Sequence, residues 1–76
     1  MELRIGQVWS FGDPIDQKDI IINIEEEWIT YDFTKKWDNY KEIQKDECTK
    51  DDYFIAIKEE HGTLLSKSEI ILFIWK

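Results

Sequence analysis

His61, Cys48 and a scatter of carboxylates are what this 76-residue chain offers for acid, base, nucleophile or metal chemistry. Nucleophilic catalysis needs a thiol or hydroxyl beside a base that activates it. Cys48 sits between Glu47 and Thr49, where neighbouring acid disfavours a thiolate. His61, the only histidine, falls at the C-terminus of a predicted helix, where the helix dipole favours a cation and a capping or surface role is sufficient. No Ser-His-Asp or Cys-His pairing can be assembled around it. Asp51-Asp52 and Glu59-Glu60 are adjacent carboxylates, but the first pair suits the positive end of that helix and the second its solvated face. No Cys-x-x-Cys, His-Glu-x-x-His or glycine-rich phosphate loop occurs. Glu25-Glu26-Glu27 lacks the glycine and spaced ligands of a dedicated calcium loop. The inventory predicts a non-enzyme with no metal and no cofactor.

Placement of the carboxylates says more than their number. The net charge is -7, from 17 acids against 10 bases, which argues against direct contact with nucleic acid or an anionic membrane and leaves basic partners open. Residues 13–32 carry Asp13, Asp16, Asp19, Glu25, Glu26, Glu27 and Asp32 against Lys18 alone, a balance of -6, whereas residues 33–50 carry +1. Alternate residues of a strand lie about 6.5–7 Å apart, close to the pitch of phosphates on an extended nucleic-acid strand. These seven acids are therefore the expected partner-binding face, able to occupy sites a protein uses for DNA or RNA phosphates. The competing reading is that they solvate a hairpin end and discourage edge pairing. Trp37, in a polar basic loop, joins the set as the tryptophan expected to be exposed, a residue type common at interface hot spots. Trp9, Trp28 and Trp75 are core candidates.

The elements that must position these residues read mostly as strands within a single domain, residues 1–76. Aromatics make up 14% of the chain, enough for a small core despite its charge. Trp9 and Phe11 alternate with Ser10 after a bend at Gly6, and Gly12-Asp13-Pro14 stops that first strand. Residues 19–25 form a second strand, with Ile20, Ile22 and Ile24 on one face and Ile21 and Asn23 on the other; β-branched runs favour extended chain. Glu25 to Glu27 make the turn, and residues 28–33 form a third strand with Ile29, Tyr31 and Phe33 opposite Trp28, Thr30 and Asp32. Residues 34–39 read as a loop and 40–45 as a charged edge strand or a helical turn. Thr49-Lys-Asp-Asp resembles a capping box opening a helix over residues 49–62, with Phe54, Ile57, Lys58 and His61 along one stripe and Tyr53 and Ala56 beside it. Gly62 is the expected left-handed exit, with Leu64 packing back on the last turn. Residues 69–75 alternate as a final strand apolar on both faces, either internal or shared in a homodimer. The lone cysteine suits a reducing compartment. No signal peptide or membrane span is visible, so a cytoplasmic location is expected. The fold class is α+β, mostly β: a small twisted antiparallel sheet or partly open barrel of four to five strands with one helix packed on it.

Leu-Arg-Ile-Gly-Gln-Val-Trp at residues 3–9, Ile-Ile-Asn-Ile at 21–24 and Trp-Ile-Thr-Tyr at 28–31 resemble the opening and following hairpin of small SH3-like proteins of phages and prophages. The resemblance covers roughly the first half of the chain. It implies a partly open SH3-like barrel and a phage or mobile-element origin, with the host cytoplasm as the place of action. Such proteins share no active site, so no functional residue is carried over. The second half, with its helix and Trp75, departs from the pattern and leaves barrel closure open. Two functional classes follow. One is an acidic binding protein that inhibits a basic host protein (a nucleoid protein, a polymerase subunit or a defence nuclease) by DNA or RNA mimicry. The other is a non-inhibitory interaction or assembly module that recognises its partner through an aromatic groove.

Overall fold

Period-two alternation builds the sheet. A computed structural model describes residues 2–65. In it β1 (Val8–Phe11), β2 (Gln17–Glu25) and β3 (Trp28–Lys35) pair in succession, and β4 (Gln44–Thr49) adds beyond β3. After α1 (Lys50–Glu59), the chain returns as β5 (Thr63–Leu64) on the other side of β1. The order is β4-β3-β2-β1-β5 with every pair antiparallel, an open five-stranded sheet with one α-helix. The protein is thus a small mostly-β domain. The strand predicted at residues 69–75, and the apolar face offered there for a dimer, lie outside the described residues.

The core gathers Leu3, Trp9, Phe11, Ile21 and Ile29 from the sheet side and Tyr53 from α1, with Ile24, Tyr31, Cys48, Ala56 and Ile57 packed against them. Ile29 is fully buried, whereas its neighbour Trp28, a core candidate from the sequence, is half exposed because it shares the outer face of β3 with Thr30 and Asp32. β2 departs from expectation. Ile21, not Ile20 or Ile22, is the fully buried isoleucine, and the register against β3 slips between Ile21 and Asn23. One extra residue in a strand turns everything beyond it to the opposite face. Ile21 and Ile24 therefore both reach the core, although they are three residues apart.

β4 lies four residues further along the chain than predicted. Asn39 and Tyr40 adopt left-handed backbone, φ 60° and 58°, which no strand accommodates, and Lys36–Asp38 form a 3-10 turn after the end of β3. Tyr40 instead reaches back over the sheet, its ring 3.9 Å from Lys18 Nζ, which helps this lysine to be buried. β4 itself carries the exposed Lys45, Asp46 and Glu47 on an outer strand, where backbone pairing rather than apolar period selects the segment.

β4 runs straight into α1. Thr49 Oγ1 accepts from the Asp52 N–H at 3.1 Å, the predicted cap. Packing selects a stripe centred on Tyr53 rather than Phe54: Tyr53 is buried, while Phe54 and Ile55 are largely solvent-facing. The helix exit also differs. His61, with φ 54°, takes the left-handed position, and Gly62 is required for closeness: a Cβ there would lie 2.8 Å from Ile57 Cα and 2.9 Å from Phe11 Cε1. Leu64 pairs with Trp9 and stays exposed, and Leu65 is the buried residue of this segment. Two backbone bonds tie α1 to opposite ends of the sheet. Lys50 N–H donates to Glu27 O at 2.7 Å, and Gly12 N–H donates to Glu60 O at 2.8 Å.

Candidate functional site

The seven predicted acids do not form one row. β2 spans nine residues, so its two ends are separated by roughly 25–30 Å. Asp13 and Asp16 are exposed in the β1–β2 loop at one end, and Glu25, Glu26 and Glu27 are exposed at the other. Asp32 lies midway along β3, directly across from Lys45 of β4. Asp19 is not on the surface at all: it is 1% exposed, beneath α1. The pitch of a strand therefore does not space these carboxylates, and the expected strand-like line of charge is replaced by two separate ends.

The hairpin end is strongly acidic. Glu25 pairs with Trp28, leaving Glu26 and Glu27 as the two turn residues, with Glu26 at φ 55°. Because Trp28 pairs in turn with Thr49, the turn sits beside the start of α1, and the Lys50 to Glu27 bond fixes that contact. Asp51 and Asp52, in the first turn of the helix, and Glu47, opposite Thr30, thereby join Glu25, Glu26 and Glu27, with Lys50 as the local base. On the outer face Glu25, Trp28 and Thr49 lie side by side across three strands, with Glu47 two residues along from Thr49, and Trp28 is 52% exposed there. Trp28 was expected in the core. Its parity with Thr30 and Asp32, the polar face of its strand, was the signal for the opposite. Nothing in the sequence linked Asp51 and Asp52 to the turn, since that link is a matter of tertiary pairing.

The other end is mixed. Trp37 is 75% exposed, as expected, and lines a hollow of about 480 Å³ with Asp16, Lys35 and Lys36. Asp16 thus has lysines for neighbours rather than other acids.

Between the ends, α1 covers a buried polar cluster. Tyr53 Oη donates to Asp19 Oδ2 at 2.7 Å and Gln17 Nε2 donates to Asp19 Oδ1 at 2.7 Å. Lys35 Nζ donates in turn to Gln17 Oε1. Burial raises the Asp19 carboxyl from 3.8 to about 6; the hydrogen bonds from Gln17 and Tyr53 and the charge of Lys35 work against that rise. The same burial, with Asp19 beside it, pushes the Tyr53 hydroxyl well above its ordinary range. Burial, then Asp52 and Asp46, push the Cys48 thiol up to about 11, so it is protonated at neutral pH and a poor nucleophile. A cavity of about 210 Å³ opens here, floored by the sheet (Phe11, Gln17, Asp19, Tyr31, Cys48) and roofed by α1 (Asp52, Tyr53, Ala56, Glu60). Among the described residues no three His, Cys, Asp or Glu side chains are grouped to hold a metal ion, and no helix is long and apolar enough to cross a membrane. Comparison with protein-family models, curated proteins and solved structures finds no match to this chain.

Proposed function

We propose that the chain is a binding protein whose acidic end occupies the nucleic-acid-binding surface of a basic partner protein. The observation that supports this reading is the meeting of the Glu25-Glu26-Glu27 turn with the start of α1, which carries Asp51 and Asp52, next to the half-exposed Trp28 that Glu25 flanks. Carboxylates from a turn, a strand and a helix start present negative charge in several directions, as a phosphate backbone does, and steer a cationic surface into contact. Trp28 supplies the apolar contact that holds it. The backbone bond from Lys50 to Glu27 pre-orders the two halves of the surface, which lowers the entropic cost of binding. The mechanism is competitive occlusion. The resemblance of residues 3–9, 21–24 and 28–31 to SH3-like phage proteins, with the open sheet as the start of a partly open barrel, favours inhibition of a host nucleoid protein, polymerase subunit or defence nuclease in the host cytoplasm.

The test is affinity capture from a bacterial lysate at low and high salt, with partners identified by mass spectrometry. A nucleic-acid-binding protein that is retained at low salt, and released by salt or by duplex DNA, is the expected result. A salt-resistant partner with no nucleic-acid function overturns it. That outcome would favour a second reading, an SH3-like interaction module recognising its partner through Trp37 and the hollow beside it.

A further inference from the structure

The cavity under α1 has a different chemistry from the acidic end, and its construction is specific. Asp52, Ala56 and Glu60 recur every four residues and so line one stripe of the helix, two carboxylates separated by a residue too small to fill the space between them. Opposite, Tyr53 stands against two further rings: Phe11 edge-on with centroids 5.7 Å apart, and Tyr31 tilted at 5.3 Å. Asp19 lies at the base. Its two hydrogen bonds use one lone pair on each oxygen, which leaves each able to accept another donor. Aromatic faces and carboxylates both attract a cation, and none of the residues lining the cavity is a base. The volume, about 210 Å³, is far more than one water needs. It is also below the roughly 300–1,000 Å³ of pockets for drug-sized ligands.

We propose that this cavity binds the head of a protonated primary alkylamine, either a free amine or a lysine side chain presented by another protein. The ammonium donates to the spare lone pairs of Asp19, its methylenes lie against Phe11, Tyr31 and Tyr53, and Asp52 and Glu60 draw it in from the rim. A neutral alcohol could donate one hydrogen bond but would leave the charge of the carboxylates unanswered, and an anion would meet three carboxylates. Lys35, whose charge acts on Asp19, is hydrogen-bonded to Gln17, which in turn donates to Asp19.

The experiment is a two-dimensional amide NMR titration of the full chain with n-butylammonium chloride at constant ionic strength, with sodium chloride and 1-butanol as controls. Saturable shifts centred on Asp19, Tyr31, Cys48 and Tyr53, absent with either control, are expected. Ala56→Leu fills the cavity and should abolish them. Asp19→Asn should weaken binding about tenfold or more, since it removes the charge the ammonium meets. Glu60→Gln changes an exposed rim residue with little risk to folding, and should weaken binding about threefold as a partly screened charge. Affinity should also fall as pH drops through about 6, when Asp19 takes up its proton. The groups acting on Asp19 are Gln17 on β2, Lys35 on β3, Tyr53 on α1 and Glu60 just beyond it, and Tyr31, Cys48 and Asp52 share the cavity with it. A second arm uses Nα-acetyl-lysine N-methylamide: binding identifies a lysine side chain as an admissible source, and its absence beside butylammonium binding assigns the site to free amines. Equal shifts with 1-butanol, shifts that follow salt alone, or an unchanged response in Ala56→Leu would overturn the proposal.

Discussion

The two ends of the sheet carry similar residue types to opposite effect. Each has exposed acids and an exposed tryptophan. At the hairpin end Glu25, Glu26 and Glu27 meet the first turn of α1, and the charge accumulates around Trp28. At the loop end Asp16 meets Lys35 and Lys36, and Trp37 stands in a hollow lined by one acid and two bases. Charge along a sequence does not predict charge on a surface; which elements a turn is placed against decides it.

The largest expected effect separates the ends directly. Reversing Glu25, Glu26 and Glu27 to Lys should lower affinity for a nucleic-acid-binding partner by about a hundredfold or more, while Asp13→Lys with Asp16→Lys changes it by less than about threefold. Calorimetry on the captured partner reads both, and equal losses would erase the distinction. Next in size is the clamp between the ends. The folded Asp19 carboxyl keeps its proton up to about pH 6, and the unfolded one only to about 3.8, so the native state binds more protons between those values. Stability from this group is present in full below about pH 3.8 and lost as pH rises through about 6, a decline of about 3 kcal/mol. Asp19→Asn should flatten that decline in denaturant melts. Asp19→Ala, which orphans Tyr53 and Gln17, should destabilise by about 1–3 kcal/mol below about pH 3.8, and by less as pH rises through about 6. Trp28→Ala should then cost about 2 kcal/mol of partner binding, as for a hot-spot tryptophan, and Trp37→Ala much less; the reverse ranking would move recognition to the loop end. The smallest effect concerns the junction. Thr49→Ala removes the cap and should lower the melting free energy by about 1 kcal/mol, leaving the acidic residues in place.

Local chemistry made the place of β1, the Ile29-Tyr31-Phe33 face of β3 and the capped start of α1 legible, although β1, whose alternation predicts a half-buried strand, is buried from Val8 to Phe11 because α1 and β5 close over it. What escaped the sequence depended on distant partners. The slip beside Ile22 answers to the packing of both Ile21 and Ile24. β4, with its charged middle, is a strand only because β3 pairs with it. Asp19 reads as one more surface acid until Tyr53, 34 residues away, is found hydrogen-bonded to it. Of the candidate site, the glutamate triplet and the exposed Trp37 could be read directly. The meeting of the glutamate turn with Asp51 and Asp52 at the start of α1 could not, since no linear spacing encodes it.

Glu26 holds one further consequence. Its left-handed backbone, φ 55°, is the conformation in which glycine or asparagine is at ease and a longer side chain is strained, by about 1 kcal/mol. A sequence optimised for this fold alone would carry Gly or Asn there, so Glu26→Gly should raise the melting temperature while removing a carboxylate from the acidic end. At that position the chain keeps a carboxylate on backbone that favours Gly or Asn, so the charge of the acidic end and the stability of its turn are set against each other.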